Sequence, residues 1–220
     1  MSETIKTGMK TDALIEQLAF QSVPVRRLLP PWQRVLVWLG CAAPYIIFVV
    51  FMMGPRAGLA QTFSESRFLI EQISGFLTAL AAGFFAFWVV IPGRARWPVL
   101  FLALPLAVWL GSMSQGCIQD WRAGQLTFWS DWMCLPVIAL VGAGPALVMA
   151  VMIRRGAPLY PHLAVGLGGL AAAALGNVGL RFFHPVDASF MVLVWQFGSV
   201  ALLAIVCGLI GPRLHKWQHV

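Results

Sequence analysis

VLVWLGCAAPYIIFVVFMM, residues Val35–Met53, runs for nineteen positions without a charge. At about 1.5 Å per residue, a helix of that length covers close to 30 Å, the hydrocarbon thickness of a bilayer. Five further runs follow, near Leu69–Ile91, Pro98–Gln115, Met133–Ile153, His162–Phe182 and Ser189–Gly211. The third is the least regular, holding Pro105 and ending in Ser112, Ser114 and Gln115. The runs are continuous rather than alternating, which excludes a β-barrel. The fold class read from them is all-α, a polytopic membrane bundle with six transmembrane helices.

Composition agrees. Of 220 residues, 60% are apolar and 10% charged, against roughly 45–50% and about 25% in soluble globular proteins. So few charges could not cover a soluble protein of this size, and an ordinary cytosolic enzyme, a disordered chain and a small secreted scaffold are excluded. The net charge of +7 is dispersed in pairs between apolar runs. That pattern argues for membrane topology, with no direct nucleic-acid contact.

Short loops rich in Lys and Arg stay on the cytoplasmic side. With the N-terminus inside, Lys6, Lys10, Arg26, Arg27, Arg34, Arg94, Arg96, Arg154, Arg155, Arg213 and Lys216 face the cytoplasm, eleven cations in all. Only four, Arg56, Arg67, Arg122 and Arg181, face outward. Both termini are therefore expected in the cytoplasm. Trp32, Trp97 and Trp217 fall at the inner interface, and Trp121, Trp129 and Trp132 at the outer one, where indoles settle. The first 30 residues lack a long apolar run, so no cleaved signal peptide is expected. The expected organisation is a cytoplasmic segment at 1–34, a transmembrane domain at 35–211 and a cytoplasmic tail at 212–220.

Helices in lipid approach one another through small residues. Gly168, Ala172 and Gly176 share one face of the fifth run, and Gly142, Gly144 and Ala146 lie beside Pro145 in the fourth. Packing within the bundle is the simpler reading and a homodimer interface the other; oligomeric state stays open. Ionisable residues deep in a span mark transport paths. Glu71 and Arg181 sit near outer ends, where side chains can reach water, and Asn177 and Gln196 suit hydrogen bonds between helices. The lack of a buried carboxylate therefore weighs against a proton-coupled transporter. No GxxxxGK[ST], HExxH, GxSxG or CxxC is present, so no catalytic residue and no cofactor is assigned.

Cys41 and Cys207 lie inside apolar runs, where a thiol behaves as a small hydrophobe. Cys117 and Cys134 differ, since they bracket the sixteen residues IQDWRAGQLTFWSDWM at the expected outer surface. Three readings compete: a structural disulfide, a redox- or metal-responsive thiol pair, and two unpaired thiols. A bridge would stabilise by about 3 kcal/mol in the chain-entropy model. His184 and Asp187 lie at the same depth, and two thiolates, an imidazole and a carboxylate would suit a soft divalent metal.

In the N-terminal segment, TDALIEQLAFQ has Leu14, Ile15, Leu18 and Ala19 at helical spacing behind Thr11 or Asp12 as N-cap. The VPVRRLLPP stretch then reads as an extended linker. So short a helix is marginal in water and needs a surface, either the membrane and bundle or the groove of a cytosolic partner.

MKTDALIEQLA, VRRLLPPWQR, MGPR, PGRARW, the outer cysteine pair, RRGAP and GGLAAAALGN followed by LRFFHPVDASFMVLVWQFG together resemble the NrsF family of six-span inner-membrane anti-sigma factors. The resemblance runs from Met9 over nearly the whole chain, and MSETIKTG is an extension ahead of the usual start. It implies that the N-terminal segment holds an extracytoplasmic-function sigma factor of sigma-F type away from RNA polymerase, with Leu14, Ile15 and Leu18 as contact candidates. It also implies that Cys117 and Cys134 sense heavy-metal or oxidative stress and release the sigma factor. It assigns nothing to Cys41 or Cys207. The implied protein is a regulator and not an enzyme, with membrane lipid as its other partner. The alternative is a membrane thiol–disulfide oxidoreductase passing electrons to quinone, weakened by the missing CxxC. A small transporter stands third.

Overall fold

The structure is a computed structural model that describes residues 11–21, 28–124, 134–156, 159–184, 194 and 197–214. Every regular element among them is helical. They are α1 (Thr11–Gln21), α2 (Pro31–Met53), the short α3 (Leu59–Thr62), α4 (Ser66–Val89), a 3-10 turn (Trp97–Leu102) running into α5 (Ala103–Arg122), α6 (Cys134–Arg154), α7 (Pro161–Leu180) and α8 (Gly198–Leu214).

Prolines open several of these helices, at Pro31, Pro98 and Pro161. A first-turn N–H has no helical acceptor, so its loss costs nothing there. Gly54 ends α2 at φ +78°, in the left-handed region where glycine is unstrained.

Five segments are long and apolar enough to cross a membrane: Pro31–Met53, Ser66–Val89, Trp97–Gln119, Leu135–Arg154 and Pro161–Leu180. They follow the first five runs in the sequence. In place of the sixth, the described residues hold the shorter apolar helix Gly198–Ile210, with much of Ser189–Phe197 outside them. Large apolar side chains such as Ile47, Phe51, Leu104, Leu147 and Leu209 point outward. An apolar exterior of that extent is foreign to a soluble monomer.

The helix α7 is central, packed against α4, α6 and α8. Its sequence GLGGLAAAALGN explains why. A Cβ on Gly176 would stand 3.0 Å from the Gly142 nitrogen and the Ile138 carbonyl of α6, and one on Gly142 would stand 3.1 Å from the Ala172 carbonyl. The Gly168–Ala172–Gly176 stripe is therefore covered by α6 of the same chain. This supports the packing reading over the homodimer one.

The helix α2 grips α6 at three levels. Tyr45 Oη donates to the Leu140 carbonyl (2.8 Å), Trp38 Nε1 to the Pro145 carbonyl (2.9 Å), and Arg34 Nη2 to the Met152 carbonyl. Pro145 has no N–H, so the α6 ladder is interrupted, and the α2 donors lie on either side of the break. Arg34, read as a loop cation, is instead buried in the first turn of α2 with its guanidinium 4.3 Å from the Phe87 ring centroid.

Candidate functional site

Cys117 lies on the last turns of α5, and Cys134 is the first residue of α6. Antiparallel packing puts both at one end of the bundle, opposite Arg94. Cys117 is a half-buried free thiol. The side chain of Cys134 and residues 125–133 lie outside the described residues. Among those described, α5 packs on α4, α6 packs on α2 and α7, and α5 and α6 make no extensive contact with each other. The two cysteines thus lie on helices with different main packing partners among the described residues.

Of the proposed metal set, only the side chains of Cys117 and His184 fall within the described residues. Asp187 lies outside them, and no three His, Cys, Asp or Glu side chains converge among them. The backbone of His184 closes the end of α7, its N–H bonding the Leu180 carbonyl at 2.9 Å.

The same end holds a feature that sequence reading misplaced. Glu71 and Arg181 do not reach water. Both side chains are 5% exposed, with Arg181 Nε 3.1 Å from Glu71 Oε1 and Nη2 3.4 Å from Oε2. The pair links α4 to α7 under a cap formed by α3. There the Arg56 N–H bonds the Phe182 carbonyl at 2.9 Å, and Phe63 lies between Phe68 and Phe182. A buried carboxylate therefore exists after all, so its supposed absence is no argument against a transporter. This carboxylate is held by a cation, as intramembrane charges usually are. Opposite charges near the same end of two runs were the available signal. Asn177, read as a link between helices, is buried with Oδ1 unbonded among the described residues, and Gln196 lies outside them.

The helix α1 forms over TDALIEQLAFQ, and among the described residues it makes no extensive contact with another helix. Ile15 is 59% and Phe20 94% exposed. The side chains of Leu14 and Leu18 lie outside the described ones. Exposed apolar side chains on a helix are the usual material of a docking surface.

A family model described as "NrsF: Negative regulator of sigma F" matches residues 18–217. The chain belongs to the NrsF family. No curated protein and no solved structure matches it. Membership makes this NrsF chain a negative regulator of sigma F, an anti-sigma factor, and gives it a sigma factor as partner. The match begins at Leu18, so Leu14 and Ile15 precede the matched stretch.

Proposed function

We propose that this protein is a six-span inner-membrane anti-sigma factor with both termini in the cytoplasm. It holds an extracytoplasmic-function sigma factor on α1, through Leu14, Ile15 and Leu18. It releases that factor when heavy-metal or oxidative stress acts on Cys117 and Cys134. The observation that carries the reading is the family match over residues 18–217, joined to the exposed Ile15 and Phe20 on α1.

The physics of the switch follows from where the cysteines start. A disulfide needs Cα atoms about 4.4–6.8 Å apart, and a shared metal needs both thiolates on one ion. Either event would draw the end of α5 toward the start of α6. The three hydrogen bonds from α2 then carry any shift of α6 to Arg34, which stands four residues from the Pro30 linker to α1. On this reading α2 with α6 is the element whose two states the coupling would shift.

The test is co-purification of the full-length protein in detergent with its sigma factor. Retention that is lost on Leu14→Asp or Leu18→Asp, and kept on Phe63→Ala at the far end, supports α1 as the contact. Retention unaffected by either aspartate overturns that assignment.

A further inference from the structure

Three helices, α2, α4 and α5, enclose a groove of about 930 Å³, near the top of the usual ligand-site range of about 300–1,000 Å³. Its floor is α4, with Ile73, Leu77, Leu80 and Phe84, and its walls carry Leu36 and Leu104. Only Ser74 and Trp32 bring a polar side-chain atom among the described lining residues. The Ser74 hydroxyl already donates to the Ile70 carbonyl at 2.6 Å. The floor therefore suits hydrocarbon and offers a quinone carbonyl no donor.

Toward the Arg94 end the chemistry changes in order. The Phe84 ring is followed by Trp88, with centroids 5.8 Å apart, and the Arg94 guanidinium lies 4.0 Å from the Trp88 ring centroid. The Trp88 indole donates to the Ala95 carbonyl at 3.0 Å, which fastens the turn carrying Arg94 to that ring. Arg94 is exposed and makes no ion pair among the described residues. Hydrocarbon, then aromatic ring, then cation is the depth profile of a phospholipid with an anionic headgroup.

We propose that this groove binds an anionic phospholipid, with acyl chain along α4 and phosphate on Arg94. The inference rests on the membrane reading and is independent of the sigma factor. A helix from a second copy fits less well, because helix contacts in lipid use small residues. The groove is walled by Leu, Ile and Phe, and the glycine stripe of α7 is already covered.

The experiment is native mass spectrometry and thermal melting of the full-length protein in detergent, with phosphatidylglycerol and phosphatidylcholine of identical chains. Phosphatidylglycerol is expected to be retained and to raise the melting temperature well above the effect of phosphatidylcholine. Arg94→Gln, at an exposed site, should weaken phosphatidylglycerol about fivefold and leave phosphatidylcholine unchanged. Leu77→Trp should fill the groove and remove both lipids; Leu104→Trp on the wall serves if that variant misfolds. Equal retention of the two lipids, indifference to Arg94→Gln, equal stabilisation by inorganic phosphate, or a dimer that Leu77→Trp dissociates would each overturn the proposal.

Discussion

The Trp38 indole of α2 donates to the Pro145 carbonyl of α6 at 2.9 Å, and the Trp38 side chain is completely buried. Pro145 has no N–H to offer the Val141 carbonyl one turn earlier, and Trp38 fastens α2 to α6 at the proline's own carbonyl.

Trp38→Phe keeps most of the ring and removes the donor. A loss of about 0.5–1.5 kcal/mol is expected, toward the lower end for a bond between helices in a bilayer. A melting temperature lowered by a few degrees in detergent would show it. If α2 and α6 couple the two ends, sigma-dependent reporter output should rise without inducer, and unchanged output would count against that coupling.

Breaking the Glu71–Arg181 pair should cost more. Glu71→Gln or Arg181→Met alone removes this ion pair from the buried partner, at a cost of about 3–5 kcal/mol. The double variant Glu71→Gln with Arg181→Met should recover most of the loss. Melting of the four proteins as a double-mutant cycle measures the coupling, and additive losses would contradict it.

Gly176→Ala sets a methyl 3.0 Å from α6 backbone, which cannot turn aside as a side chain can. Overpacking of this kind costs about 1–3 kcal/mol. At Gly40 a Cβ meets nothing within 4 Å, so Gly40→Ala should stabilise by about 0.5–1 kcal/mol through helix propensity. Comparison of the two melting temperatures separates close approach from propensity.

Cys117→Ser and Cys134→Ser should each abolish induction by metal or oxidant while leaving membrane insertion and basal repression intact. Cys41→Ser, at an exposed position on α2, should behave as wild type. A reporter strain treated with a thiol oxidant reads all three, and normal induction in both outer variants would remove the sensing role.

Much of this molecule is legible in one dimension. Apolar run length placed five helices to within a few residues, because in lipid the chain must satisfy its backbone locally and a helix does so within itself. The amphipathic spacing of TDALIEQLAFQ likewise marked α1. The outer cysteines stood out because they flank a polar stretch between two apolar runs.

Contacts between helices were not legible. Run length and spacing say nothing of which helix faces which, so Glu71 and Arg181, 110 positions apart, read as two solvated charges and prove to be one buried pair. Arg34 read as a loop cation and proves to anchor α2 to α6. The apolar runs by themselves determined that the chain forms helices long and apolar enough to span a membrane, since burial of backbone in hydrocarbon is a local requirement. Only the tertiary structure decided that α7 stands at the centre, that α2 holds α6 across a proline break, and that α5 packs on α4 while α6 packs on α2 and α7. Those depend on shape and on hydrogen-bond partners brought together from distant positions.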